Sequence, residues 1–362
     1  MSFATTRRVR SVALGLVLGL VVGLGVSAIT PAGASAPAQD EAGTLRLGYF
    51  DNVTHAPALV GLESGFFEKA LGDTSLETSI FNAGPAAVTA LLSDSIDATY
   101  IGPNPTVSAF QQSDGAIQVI SGVASGGAYL VVKPDIKNAK DLKGTTIATP
   151  QLGNTQDVAL RSYLKKKGFE TDTAGGGDVS ILPQENAVTL QAFQDDQIQG
   201  AWVPEPWATR LVDEGGGKIL VDEAGLWPDG KYVTTDLIVR KDYLQEHPDV
   251  VQALLTANVE AINRITDATT RADAEAQVAT RIEADTGKPI APELVTASFD
   301  HILFTPDPIA SSLVKSAKAA ADLGLPGAVA LTKADVKALY QLKLLNKVLK
   351  QDGQPTVSAS AT

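Results

Sequence analysis

The sequence predicts an α/β protein built as two lobes, and three observations predict it. Short β-branched or alternating apolar runs are separated by helical segments, which implies mainly parallel strands joined by crossovers. That grammar runs from Leu45 to Val132 and begins again between residues 140 and 222. A chain of 362 residues can also bury two sizeable cores.

The elements follow in order. Leu45–Tyr49 alternates as a strand, a polar loop follows at Asp51–His55, and Pro57 opens a helix running to about Gly65. Leu76–Phe81 reads as a strand and Asn82–Pro85 as a turn, then Ala86–Leu92 as a helix. Asp97–Ile101 is a strand ending in Gly102-Pro103-Asn104-Pro105, followed by a helix over 106–111 and strands over 117–123 and 128–132. The second round pairs strand Thr145–Thr149 with a helix over 155–167, 179–182 with 186–194, and 199–203 with 206–213, and closes with strand 219–221. Strand Thr234–Val239 begins a third section, with helices near 241–246, 248–266, 270–286, 291–299 and 309–323. One more amphipathic helix follows Thr332, and residues 352–362 read as a disordered tail.

The N-terminus differs in kind. Arg7, Arg8 and Arg10 precede an apolar run from Val12 to Ile29, and Ala32-Gly33-Ala34 and Ala34-Ser35-Ala36 offer small-residue cleavage sites. Residues 1–36 read as an export signal and 37–43 as a linker. Removing a segment with three arginines and no acid takes the net charge from −12 to −15. That balance argues against nucleic acid and anionic membrane surfaces as partners. The absence of cysteine excludes disulfides, thiolate metal sites, a cysteine nucleophile and lipidation at a lipobox. His55, His247 and His301 lie far apart in sequence, without metal-ligand spacing. No cofactor is expected.

Ligands of open α/β sheets bind beyond the carboxyl ends of strands. Turns rich in Gly, Pro, Asn and Thr occupy that position at 52–55, 82–85, 102–104 and 153–156, with Pro204-Glu205-Pro206-Trp207 as a fifth. The most informative is Gln151–Asp157, where a strand gives way through Gly153 to a helix that Asn154 or Thr155 can cap. Lysines 165–167 stand at the far end of that helix, leaving its positive end open to a small anion. His55 could act as a base or as a donor to an anion. Trp207 reads as a ligand wall and Trp202 as packing. Glu205, held between two prolines, could face the amine of a zwitterion. No nucleophile elbow appears, and no serine or threonine is marked out by a neighbouring base.

Several short motifs in one order then carry a resemblance. They include Leu45-Arg46-Leu47-Gly48-Tyr49, His55-Ala56-Pro57-Ala58, Gly65-Phe66-Phe67, Asn82-Ala83-Gly84-Pro85, Asp97–Gly102, Asp141-Leu142-Lys143-Gly144 and Thr234–Tyr243. This order resembles the substrate-binding proteins of ABC importers in the nitrate/taurine/aliphatic-sulfonate group, across residues 44–320. The resemblance implies a type II-like periplasmic-binding-protein fold, each lobe a mixed sheet flanked by helices, with a hinge between. It implies that 44–132 and 234–350 form lobe one and 133–233 lobe two. By the same likeness, ligand contacts come from Asn52, His55, Gly84, Gly102, Asn104, Asn154, Thr155, Gln156, Glu205 and Trp207. The implied function is a monomeric receptor, exported to the periplasm or its equivalent. It would deliver a small organic anion, an aliphatic sulfonate or taurine, to a membrane permease and its ATPase. The alternative is an exported enzyme on the same fold acting on a sulfonate, sulfinate or pyrimidine-like substrate; such relatives depend on cysteines, which this chain lacks.

Overall fold

The structure, a computed structural model, describes residues 43–360. The expected export signal and most of the linker lie outside the described residues. Eleven strands form two sheets among the described residues. They are β1 (Thr44–Tyr49), β2 (Ser75–Ile80), β3 (Ala98–Ile101), β4 (Ile117–Gly126), β5 (Ala128–Val132), β6 (Thr146–Thr149), β7 (Ser180–Pro183), β8 (Gly200–Pro204), β9 (Lys218–Asp222), β10 (Val233–Arg240) and β11 (Ile302–Phe304). The first sheet runs β11-β4-β10-β3-β1-β2 and the second β7-β6-β8-β5-β9. In the first, β2, β1 and β3 are parallel and β10 is antiparallel to β3. In the second, β7, β6 and β8 are parallel and β5 is antiparallel to β8. Both sheets are mixed, as expected.

Connections of this kind need crossovers, and helices supply them: Gly84–Leu92 between β2 and β3, Thr155–Lys166 between β6 and β7, Asn186–Gln194 between β7 and β8. The last two start where the sequence places them. Buried side chains of the first sheet and its helices, among them Leu47, Leu59, Phe67, Leu237 and Leu254, form one continuous core. The second sheet has an apolar cluster on each face, one around Phe193 and Leu211, the other around Trp202 and Leu164. Burying side chains of this size stabilises by roughly 1.5–3 kcal/mol each.

Four expectations change. The chain leaves the first sheet at Gly126–Gly127, not after Val132, because β5 already pairs with β8. Both glycines have positive φ, +85° and +71°, which lets an otherwise continuous apolar run turn from one sheet into the other. The helix after Pro57 ends at Glu63, Gly65 takes a left-handed φ of +68°, and a separate helix covers Phe66–Leu71. The single helix expected after Thr332 is two, Lys333–Leu339 and Lys343–Gln351, because Tyr340 bridges to Val119 and the Gln341 amide donates to its carbonyl. The expected disordered tail is tied down through residue 360: Val357 exchanges two hydrogen bonds with the Asn346 side chain, and Val357 and Ala359 pack on the first core. The short strand β11 was not expected at all; at three residues it carries no readable period.

Candidate functional site

The carboxyl ends of β1 and β3 face those of β6 and β8 across a cleft, and the loops beyond them meet there. A cavity of about 20 Å³ between the sheets is lined by Asn52, Thr54, His55, Gly102, Asn154, Thr155, Gln156 and Asn186, with Thr234 of β10. None of its lining residues is Lys, Arg, Asp or Glu. This volume is on the scale of one water.

On the second sheet the helix Thr155–Lys166 aims its start into this cavity. Asn154 caps it with extended backbone, its Oδ1 accepting the Thr155 amide at 2.6 Å. Helix geometry leaves the next amides without intrahelical partners. Thr155 Oγ1 is buried and has no hydrogen-bond partner. Behind the turn, Asp157 is fully buried and joins three parts: Thr149 Oγ1 at 3.0 Å, the Gly153 amide at 2.9 Å and Arg161 Nε at 2.9 Å. Arg161 is itself 2% exposed and donates also to the Asp172 carbonyl. This ion pair holds strand end, turn and helix start as one unit. Sequence reasoning read the turn and missed the brace; the signal was an Asp and an Arg four residues apart on the helix face that turns inward.

On the first sheet, residues 50–55 close the cavity. His55 stacks on Phe50 at 4.4 Å, and its Nδ1 accepts the Phe50 amide at 3.3 Å, leaving Nε2 to carry the proton. Burial pushes the imidazole down to about 3, so the ring is neutral at ordinary pH. Gly102 sits where a Cβ would collide with Thr155 Oγ1. Glycine there is a matter of space: its φ of −76° suits any residue.

The structure thus gathers Asn52, His55, Gly102, Asn154, Thr155 and Gln156 around one cavity. The other four expected contacts lie elsewhere. A Cβ on Gly84 would run into Pro105, so this glycine serves helix packing. Asn104 is turned toward the helix Ala310–Asp322, exchanging hydrogen bonds with the Ser316 carbonyl and hydroxyl at 3.2 and 2.6 Å. Glu205 is fully buried, but its carboxylate accepts from the Thr209 amide and hydroxyl at 3.0 and 2.9 Å in the first turn of the helix Trp207–Asp213. It also meets Ser298 at 3.4 Å and His301 at 2.7 Å, both on the first-lobe side. Trp207 donates from Nε1 to Asn52 Oδ1 at 3.0 Å and lines a second, larger cavity of about 410 Å³. Trp202 is packing, as expected, with Nε1 on Glu223 at 2.8 Å. Asn186 and Thr234, which sequence reasoning did not single out, join the small cavity's lining.

A model of the NMT1-like family matches residues 38–282. The chain belongs to that family. It is 31% identical over 208 residues to the taurine-binding periplasmic protein of Escherichia coli (strain K12), covering 57% of this chain and 62% of that protein. It is 24% identical over 250 residues to the nitrate/nitrite binding protein NrtA of a Nostoc species, covering 63% of this chain and 55% of the relative. The chain therefore spans less than two thirds of the length of these curated relatives. Among solved structures, the alkanesulfonate-binding protein SsuA of Xanthomonas axonopodis pv. citri bound to MOPS matches with a TM-score of 0.66 at 21% identity, covering 85% of this chain and 100% of that one. The nitrate-binding protein NrtA of Synechocystis PCC 6803 matches with a TM-score of 0.74 at 19% identity, covering 88% and 92%. The two-lobe binding-protein fold and the family indicated by the sequence motifs both stand.

Proposed function

We propose that this protein is an exported substrate-binding receptor of an ABC importer, and that it captures a small organic anion of the sulfonate class between its lobes. The observation that carries the reading is the neutral cavity at the start of the helix Thr155–Lys166, with a buried, unpaired Thr155 hydroxyl. A fully ionised oxyanion is well matched by such a place: backbone amides, hydroxyls and side-chain amides donate to it, and the helix dipole favours its charge. The relatives support the class, since they are named as taurine-, alkanesulfonate- and nitrate-binding proteins. The adjoining cavity of about 410 Å³, with Phe81 and Trp207 in its wall, favours an organic anion over nitrate or bicarbonate, which have no substituent to place there. Closure of the lobes buries the ligand, and the closed form docks on the permease. No turnover is expected.

Isothermal titration with taurine, ethanesulfonate, nitrate and bicarbonate tests this. Saturable binding of the sulfonates is expected, and binding confined to nitrate or bicarbonate would overturn the sulfonate reading. Thr155→Val should weaken sulfonate binding by about 1.5–3 kcal/mol, the range for a hydrogen bond to a charged group, while leaving the melting temperature of the free protein unchanged.

A further inference from the structure

The helix Thr155–Lys166 walls a second space besides the small cavity at its start. A cavity of about 330 Å³ lies between this helix, residues 223–230 and the helix Ala310–Asp322. Its helical wall is residues 155, 158, 159, 162, 163 and 166, the three-and-four spacing of one face. Residues 223–230 follow β9 and lead into β10, where the chain returns to the first sheet. The helix Ala310–Asp322 holds the first lobe through the bonds between Ser316 and Asn104. It also meets the Thr155 helix, where Val158 packs with Ala320 and Leu325, and Lys165 Nζ donates to the Asp322 carbonyl at 2.7 Å. Both lobes therefore frame the cavity, beside the return crossing of the chain.

The lining combines a fixed aromatic plate with open positive charge. Trp227 stacks on the buried Tyr232, with ring centroids 5.5 Å apart and planes 8° apart, so the indole is held flat. Leu226 beside it is a large apolar side chain left 45% exposed. Ser162 Oγ, in the helical wall, is buried without a hydrogen-bond partner. Lys166 and Lys315 enter the lining from opposite sides, and both are exposed. Neither is ion-paired: among the described residues the paired lysines are Lys69, Lys133, Lys143 and Lys318. Glu223 is the acid of the lining, and its two oxygens already accept from Trp202 Nε1 at 2.8 Å and Trp227 Nε1 at 3.3 Å. Burial pushes its carboxyl up to about 7, which reduces its negative charge near neutral pH. A pocket of this volume, mostly apolar with a few convergent polar groups, has the make-up of a small-molecule site.

We propose that this cavity is a second ligand site, and that it takes a small aromatic carboxylate. The ring lies against Trp227 and Leu226, and the carboxylate meets Lys166 and Lys315. The site is distinct from the anion seat and stands whether or not the receptor reading does. An occupant would touch both lobes at once.

Isothermal titration of the full chain with 2-naphthoate, its neutral analogue 2-naphthamide, and acetate tests this. Saturable binding of 2-naphthoate is expected, with 2-naphthamide weaker and acetate, which has no ring, without measurable binding. Lys166→Gln combined with Lys315→Gln should weaken 2-naphthoate by about fivefold or more, the scale of two partly screened charge contacts, and leave 2-naphthamide unchanged. Both lysines are exposed and unpaired, so the double variant should keep the melting temperature of the parent. Leu226→Ala should weaken both naphthalene compounds alike. A saturating excess of ethanesulfonate should leave 2-naphthoate bound. No saturable binding of 2-naphthoate, equal affinity for acid and amide, an affinity untouched by the double variant, or displacement by ethanesulfonate would each overturn the proposal.

Discussion

The first sheet runs β2-β1-β3-β10-β4 and the second β7-β6-β8-β5-β9, one pattern used twice: three parallel strands, then an antiparallel strand that enters just after the chain changes lobes. Each lobe also starts a helix at the cleft. In the first lobe the Val53 amide, at the start of the one-turn 3-10 segment Val53–His55, donates to the Glu205 carbonyl of the other lobe at 3.1 Å and so helps to join the lobes. In the second lobe Asn154 caps Thr155 alone, and the Thr155 hydroxyl is left unpaired. The start of a helix at the cleft is therefore part of a clasp on one side and of the proposed anion seat on the other. What separates them is which donors are already used. The first lobe contributes side chains instead: a neutral buried imidazole and the amide of Asn52.

The sharpest way to break this comparison is at the brace behind the anion seat. Asp157→Ala leaves Arg161 buried without its partner, and removing one member of a buried pair costs about 3–5 kcal/mol. Urea unfolding should show this as a lower midpoint with little change in slope. Arg161→Met in the same chain should recover part of the loss; no recovery would mean that Thr149 and Gly153, not the ion pair, carry the brace.

The clasp can be probed through pH. Pairing with Glu205 raises the pKa of His301 above its usual value, against the lowering effect of partial burial. A group whose folded pKa is raised stabilises fully below its unfolded pKa of about 6.5 and loses that contribution as pH rises through the folded value. Thermal stability should thus include a His301-dependent increment near pH 6 that fades toward higher pH, and His301→Gln should remove it. With the side chain 34% exposed, the increment is at most about 1 kcal/mol after solvent screening. A pH profile unchanged by His301→Gln would show that the His301–Glu205 pair adds nothing to the clasp.

The smallest effect is expected at the rim, where Asn82 Nδ2 donates to Glu185 Oε1 at 2.9 Å between the lobes in an exposed position. Glu185→Ala should change sulfonate affinity by no more than about 0.5–1.5 kcal/mol. A larger loss would move the weight of closure from the buried clasp to the rim.

Much of this was legible in the residues alone. Strand and helix positions follow from period and punctuation, which are local properties; hence the helices 186–194, 241–246 and 248–266 fall where they were expected. The turn and cap that open the helix Thr155–Lys166 were legible for the same reason, because Gly153, Asn154 and Thr155 write them in adjacent positions. The family followed from the order of short motifs. What the tertiary structure alone decided is which polar side chains are free. Glu205 and Asn104 carry suitable groups at suitable turns, but Thr209, His301 and Ser316, distant or on another element, had already claimed them. Hydrogen-bonding capacity is a property of a residue, whereas its satisfaction depends on every neighbour that packing brings near.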